Sequence, residues 1–203
     1  MFAGLLELGM KLGVFQRIKQ KLIGAPDLAA EKLIEVLQEI TKIYEVLDSE
    51  LNDYLVIWFI ENDFNNIERY RRTLISLEAG RIKPRMEEAR GHCKKIKKIY
   101  DRYLTPWFKR VLDDNEFFET QDLFNQLDMF DLNMMDAIKE VADWLTDRAS
   151  FVMDLVDANK YDEVNFEIRN DRKMILPDRQ KISDIMTELY SLLADFIEIS
   201  KGI

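Results

Sequence analysis

Residues 52–63 read NDYLVIWFIEND, and this stretch decides how the chain folds. Seven apolar or aromatic residues, Tyr54 to Ile60, lie between flanks rich in acidic and amide side chains. Such a run fits a buried strand, part of a membrane anchor, or a segment of helix with no polar face. Because a membrane-spanning helix needs roughly 18 apolar residues, the run is too short to be an anchor.

The spacing of apolar residues around this run separates helix from strand. Apolar side chains recur at alternating steps of four and three over positions 33–58, whereas a strand requires steps of two. The stripe consists of Leu33, Leu37, Ile40, Tyr44, Leu47, Leu51, Tyr54 and Trp58. We therefore predict a helix, and we expect residues 54–60 to lie deepest in the core because they are apolar on every side.

The rest of the chain shows the same spacing. Seven Gly and four Pro are few for 203 residues, which favours long helices over a turn-rich sheet. Thr120 is a candidate helix cap, and Pro177-Asp178 is typical of a helix start. The predicted helices are 27–61, 84–112, 121–157 and 178–200, with a shorter one at 64–79 and an N-terminal one at 2–23. We predict a single domain, 1–203, folded as an all-α, up-down antiparallel helical bundle.

One segment departs from this pattern. Val164, Phe166 and Ile168 alternate with polar residues, and Asn170-Asp171 is typical of a turn. We therefore leave open a small β-hairpin near 164–176, or an extended excursion, beside the bundle.

Composition limits the chemistry. The single cysteine, Cys93, allows no intramolecular disulfide, so we expect a cytoplasmic setting, with peripheral membrane association left open. A di-iron bundle needs two Glu-x-x-His motifs, but the one histidine, His92, follows Ala89 at that spacing. No glycine-rich phosphate loop is present. We predict no catalytic residue, no cofactor and no metal site, and we interpret Cys93 as a small core residue.

Charge is unevenly distributed along the chain. Residues 81–110 hold eleven Lys and Arg against three Asp and Glu, in a protein whose net charge is −9. Residues three and four apart share a helix face. The candidate basic patch is Arg90, Lys94, Lys97, Lys98 and Arg102. We favour the interpretation that this face pairs with the acidic helix 121–157. The alternative is phosphate binding, and nucleic acid is disfavoured because no aromatic residue interleaves the patch.

The N-terminal segment is the second candidate surface. Apolar residues form a stripe there, and basic residues lie at the intervening polar positions. Gly9 and Gly13 form a small-x-x-x-small pair that allows close helix contact. The candidate interaction surface is Leu5, Leu8, Leu12, Phe15 and Lys19. Such a helix covers the bundle, pairs with a second subunit, or lies on a membrane surface.

These observations favour a non-catalytic helical module for protein–protein interaction or assembly, with a second copy of the chain as the expected partner. The alternative is a membrane-surface module that acts through the N-terminal helix. The third hypothesis is binding of nucleic acid or another anionic ligand by the basic helix 81–110.

Overall fold

The computed structural model describes residues 6, 9–22, 27–59, 71–72, 75 and 82–201. These residues form an all-α protein, as predicted, and none of them lies in a strand. The helices are α1 (Gly13–Lys21), α2 (Asp27–Phe59), α3 (Ile82–Ile99), α4 (Thr105–Val111), α5 (Asp114–Asp157) and α6 (Tyr161–Lys201), and a π-helical turn (Tyr100–Leu104) joins α3 to α4.

Helix α2 confirms that the NDYLVIWFIEND stretch is helical through Phe59. The stripe from Leu33 to Leu47 faces the core, since each of its members is at most 1% exposed. The side chains of 54–60, which we expected to be buried, lie outside the described residues. The break between the predicted helices 27–61 and 64–79, and the second of these helices, also lie outside them.

The long helices α2, α3, α5 and α6 pack around one core. Helix α2 contacts α3 and α6, α3 contacts α5, and α5 contacts α6. Glu39 meets His92 while Ser49 meets Arg85, so α2 and α3 run antiparallel. Short turns after Val111 and Asp157 make the later neighbours antiparallel as well.

The π-helical turn explains how the chain passes Pro106 without a break. Proline has no N–H, and its ring clashes with the carbonyl group four residues earlier in an α-helix. The wider turn replaces that pattern: the Thr105 N–H donates to the Tyr100 carbonyl, and the Thr105 hydroxyl donates to the same oxygen at 3.0 Å. The helix predicted over 84–112 is therefore continued through Pro106 by a local widening.

Helix α5 begins seven residues before the helix predicted at 121–157. Asp113 accepts from the Glu116 N–H at 2.9 Å, and Glu116 accepts from the Asp113 N–H at 3.2 Å. This reciprocal capping box starts the helix at Asp114. The prediction of Thr120 as the cap is wrong, because its hydroxyl donates to the Glu116 carbonyl within the helix.

The hairpin alternative at 164–176 is wrong, because those residues belong to α6. Val164, Ile168 and Ile175 are buried, whereas Phe166 is 62% exposed. The buried positions thus follow helical steps, and the apparent alternation came from one solvent-exposed aromatic residue. Asp171 is not at a turn but is buried, and it accepts a hydrogen bond from Arg148 Nε at 3.0 Å. Pro177, predicted to start the last helix, lies inside α6.

The N-terminal segment packs closely on α6 at Gly9. A methyl group on Gly9 would lie 2.6 Å from Ile185 Cγ1, whereas one on Gly13 would meet nothing within 4 Å. The Gly9 backbone also hydrogen-bonds the hydroxyl of Tyr44, which is fully buried. Close helix contact, expected from the glycine pair, is therefore made at Gly9 and not at Gly13.

These two glycines give a matched pair of variants. Gly9→Ala is expected to lower the free energy of unfolding by about 1–3 kcal/mol, because the added methyl group overpacks the contact with Ile185. Gly13→Ala is expected to leave stability unchanged or raise it by about 0.5–1 kcal/mol, since alanine is the better helix former. Urea unfolding of both variants measures the difference, and equal effects would contradict the close approach at Gly9.

Candidate interaction surface

The candidate surface on the N-terminal helix is largely occupied by the protein's own core. Leu12 and Phe15 are both 0% exposed, and Phe15 makes an edge-to-face contact with Phe124 on α5. Leu5 and Leu8 lie outside the described residues. Because no part of Leu12 or Phe15 reaches solvent, their assignment to a partner-facing surface is corrected to core packing.

The basic residues of this segment are engaged as well. Lys19 Nζ lies 2.6 Å from Asp195 Oδ2 on α6. Three further cations reach carboxylates on α5: Lys11 with Asp122, Arg17 with Glu119, and Lys21 with Glu116. Each such exposed pair contributes less than about 1 kcal/mol, but together they neutralise the basic side of the segment.

The basic residues of α3 are placed differently. Ala89, Cys93 and Ile96 face the core at steps of four and three, and each is at most 2% exposed. The intervening positions 94, 97, 98 and 102 therefore point outward, and all four are exposed. Arg90, the fifth member of the predicted patch, is partly buried and lies 3.8 Å from Glu87 on its own helix.

These outward residues line a shallow groove of about 460 Å³. Its lining is Lys94, Lys97, Lys98, Asp101 and Arg102, and we call it the cationic groove. Lys94 and Lys98 form no ion pair with any residue that the structure describes. Four cations thus share one exposed surface with a single carboxylate, which gives the groove a positive electrostatic potential.

The π-helical turn forms one end of the cationic groove. Asp101 and Arg102 belong to this turn, and the Arg102 guanidinium lies 5.3 Å from the centre of the Tyr103 ring. Lys32 Nζ, from α2, lies 5.4 Å from the same ring. These cation–π contacts hold both cations against the Tyr103 ring beside the groove. The contribution of Asp101 was not predicted from the sequence.

None of the ion pairs described for the basic patch runs to the acidic helix 121–157, and the side chains of 128–142 lie outside the described residues. Helix α3 does pack against α5, but the cross-helix ion pairs described for α3 run to α2. Lys95 lies 3.2 Å from Glu35 and 2.9 Å from Glu39, and His92 Nδ1 lies 2.6 Å from Glu39. These contacts use the flank of α3 and leave Lys94 and Lys98 facing solvent.

Glu39 is the buried centre of this ion-pair network. Its side chain is 2% exposed, and Lys42 also reaches it at 2.9 Å. Burial raises its pKa, but hydrogen bonds from Lys95, Lys42 and His92 outweigh that effect and lower the pKa to about 2. The sequence held a signal for this network, because Lys32, Glu35, Glu39 and Lys42 recur at steps of three and four.

A second open cleft, of about 540 Å³, lies beside this network between α2 and α3. Lys42, Arg85 and His92 line it together with Glu45 and Glu88. Its positive and negative groups nearly balance, so it favours an anion less than the cationic groove does.

The described residues form neither a metal site nor a membrane-spanning helix. Across residues 9–22, 27–59 and 82–201, no three side chains of His, Cys, Asp or Glu come together to hold a metal ion. Cys93 is buried, as expected for a core residue. Within those ranges, none of the helices combines the length and the hydropathy needed to cross a bilayer.

The fold and surface place the chain in the broad class of all-α helical proteins. Comparisons with protein-family models, with curated proteins and with solved structures found no significant match.

Proposed function

We propose that this chain is a non-catalytic protein-interaction module and that its docking surface is the cationic groove on α3. The observation that carries the proposal is the exposure of Lys94, Lys97, Lys98 and Arg102 on one face. Lys94 and Lys98 form no ion pair among the described residues, and such positive surface charge attracts a negatively charged partner and orients it on approach.

The partner chemistry follows from the shape and charge of the groove. The groove is shallow and is lined mainly by lysine. The ammonium group of each lysine can meet a charge on a partner helix, and its aliphatic stem can make apolar contact with the same helix. Carboxylates four residues apart on such a helix would match Lys94 and Lys98, which are also four apart. An acidic helical segment is therefore the proposed occupant.

Two other functions, membrane association and nucleic-acid binding, fit the structure less well. A membrane role for the N-terminal helix requires an apolar face open to lipid, whereas Leu12 and Phe15 are fully buried. Binding of single-stranded nucleic acid is favoured by aromatic side chains on which bases stack, and the cationic groove is lined by none.

The proposal is tested with a fluorescein-labelled helical peptide that carries glutamates four residues apart. The wild-type protein should bind this peptide, and raising the salt concentration from about 0.05 M to about 0.5 M should weaken binding because screening shortens the reach of surface charges. Lys94→Glu/Lys98→Glu is expected to reduce the affinity at least tenfold. Fluorescence anisotropy measures both effects.

The matched control is Arg172→Glu/Lys173→Glu on α6. Both residues are exposed, and the net charge changes by the same amount, so this variant should keep most of the affinity. Equal loss in the two variants would show that net charge alone matters. Tighter binding to a single-stranded oligonucleotide than to the peptide would favour the nucleic-acid alternative and overturn the proposal.

A further inference from the structure

A row of exposed carboxylates lies on the C-terminal half of α5. Asp143, Asp147 and Asp154 are separated by four and seven residues, so they share one helix face. All three side chains are exposed. None of them pairs with a cation among the residues whose side chains are described. We call this set the aspartate row.

The aspartate row and the cationic groove have matching charge spacing. Lys94 and Lys98 are four residues apart, as are Asp143 and Asp147. At a rise of about 1.5 Å per residue, each pair spans about 6 Å along its helix. Two helices laid side by side would therefore bring both lysines against both aspartates at once, as charged flanking positions do in coiled coils.

No ion pair joins the two surfaces among the described residues of one chain. Lys94 and Lys98 point away from the core of their own chain, and the aspartates are also open to solvent. Each surface is therefore accessible to a partner from outside the chain. A second copy offers an aspartate row to the cationic groove and a cationic groove to the aspartate row. Copies joined in this way form a head-to-tail interface, and the assembly closes into a ring or continues as an open filament.

We infer that the cationic groove receives the aspartate row of a second copy of this chain, so that copies associate head to tail. The inference rests on the proposed function and names the partner of that same groove. Exposed ion pairs are individually weak and are screened by salt, so association is expected to be reversible and strongest at low salt.

Sedimentation velocity of the full chain over a range of concentrations tests the inference. The wild-type protein should show a sedimentation coefficient that rises with concentration at about 0.05 M salt and falls back to the monomer value at about 0.5 M. Lys94→Glu/Lys98→Glu and Asp143→Lys/Asp147→Lys should each be monomeric throughout. Mixed in equal amounts, the two variants should associate again, because each then offers the surface that the other requires.

The control is Asp184→Lys/Glu188→Lys on α6. These acidic residues are also exposed and four apart, and the net charge changes as it does in the aspartate-row variant, but Asp184 already accepts a hydrogen bond from Gln180 Nε2 at 2.8 Å. Self-association should persist in this control. Its loss there, or failure of the two reversed variants to associate on mixing, would overturn the inference.

The outcomes also separate this inference from the proposed function. A wild-type protein that stays monomeric at every concentration but binds the glutamate peptide through Lys94 and Lys98 would overturn self-association alone. A wild-type protein that neither self-associates nor binds the glutamate peptide would overturn both the inference and the proposed function. Helical circular dichroism of each variant confirms that the exposed substitutions leave the fold intact.

Discussion

Replacement of Phe15 by alanine is expected to lower the free energy of unfolding by about 3–5 kcal/mol. The side chain is 0% exposed and lies with its ring centre 6.3 Å from that of Phe124, at an interplanar angle of 72°. The loss combines the buried apolar surface with the cavity left between α1 and α5, since the neighbouring side chains relax only in part. Urea unfolding followed by circular dichroism measures it.

The neighbouring residue provides the control for this prediction. Gln16 is exposed, so Gln16→Ala should change stability by less than about 0.5 kcal/mol. The pair also tests the role of the N-terminal helix. A Phe15→Ala variant of unchanged stability that fails to sediment with anionic liposomes, when the wild type does sediment, would favour the membrane interpretation over core packing.

The second large effect is expected at Glu39, where the loss of stability should depend on pH. The pKa of this carboxyl falls from 4.5 to about 2 in the folded protein. A folded-state pKa below the unfolded value stabilises the fold above the unfolded pKa, and that stabilisation is lost as the pH falls towards the folded value. Glu39→Gln, which resembles the protonated form, is therefore expected to cost about 3 kcal/mol at pH 7.

The pH dependence separates the charge of Glu39 from its packing. The stability difference between wild type and Glu39→Gln should be constant above about pH 5, shrink below it, and vanish near pH 2. Glu31→Gln is the control, because Glu31 is 69% exposed and its ion pair among the described residues is with Lys32. An equal cost of Glu39→Gln at pH 3 and pH 7 would contradict the assignment of stability to the buried carboxylate.

The sequence was a good guide where an apolar pattern extended over many turns. The stripe from Leu33 to Leu47 and the stripe through Ala89, Cys93 and Ile96 are both buried, as their spacing predicted. The exposed basic positions of α3 also followed from spacing, because helical geometry fixes which residues share a face.

The wrong secondary-structure predictions were made from short stretches of sequence. Three residues, Val164, Phe166 and Ile168, are too few to distinguish a period of two from one of 3.6. The true period becomes clear only when Ile175 and Ile182 are included, since both are buried in the same helix. At the start of α5 the sequence suggested Thr120 as the cap, whereas the reciprocal hydrogen bonds of Asp113 and Glu116 start the helix at Asp114.

The sequence by itself determined the all-α class, although it left 164–176 open, and it determined which side of α3 carries positive charge. Only the tertiary structure decided which charges are neutralised. The cations of the N-terminal segment meet carboxylates on α5 and α6, and Lys95 meets Glu39, whereas Lys94 and Lys98 meet none among the described residues. The physical reason is that helix spacing is a local property of the backbone, while an ion pair requires two helices that are distant in sequence to be neighbours in space.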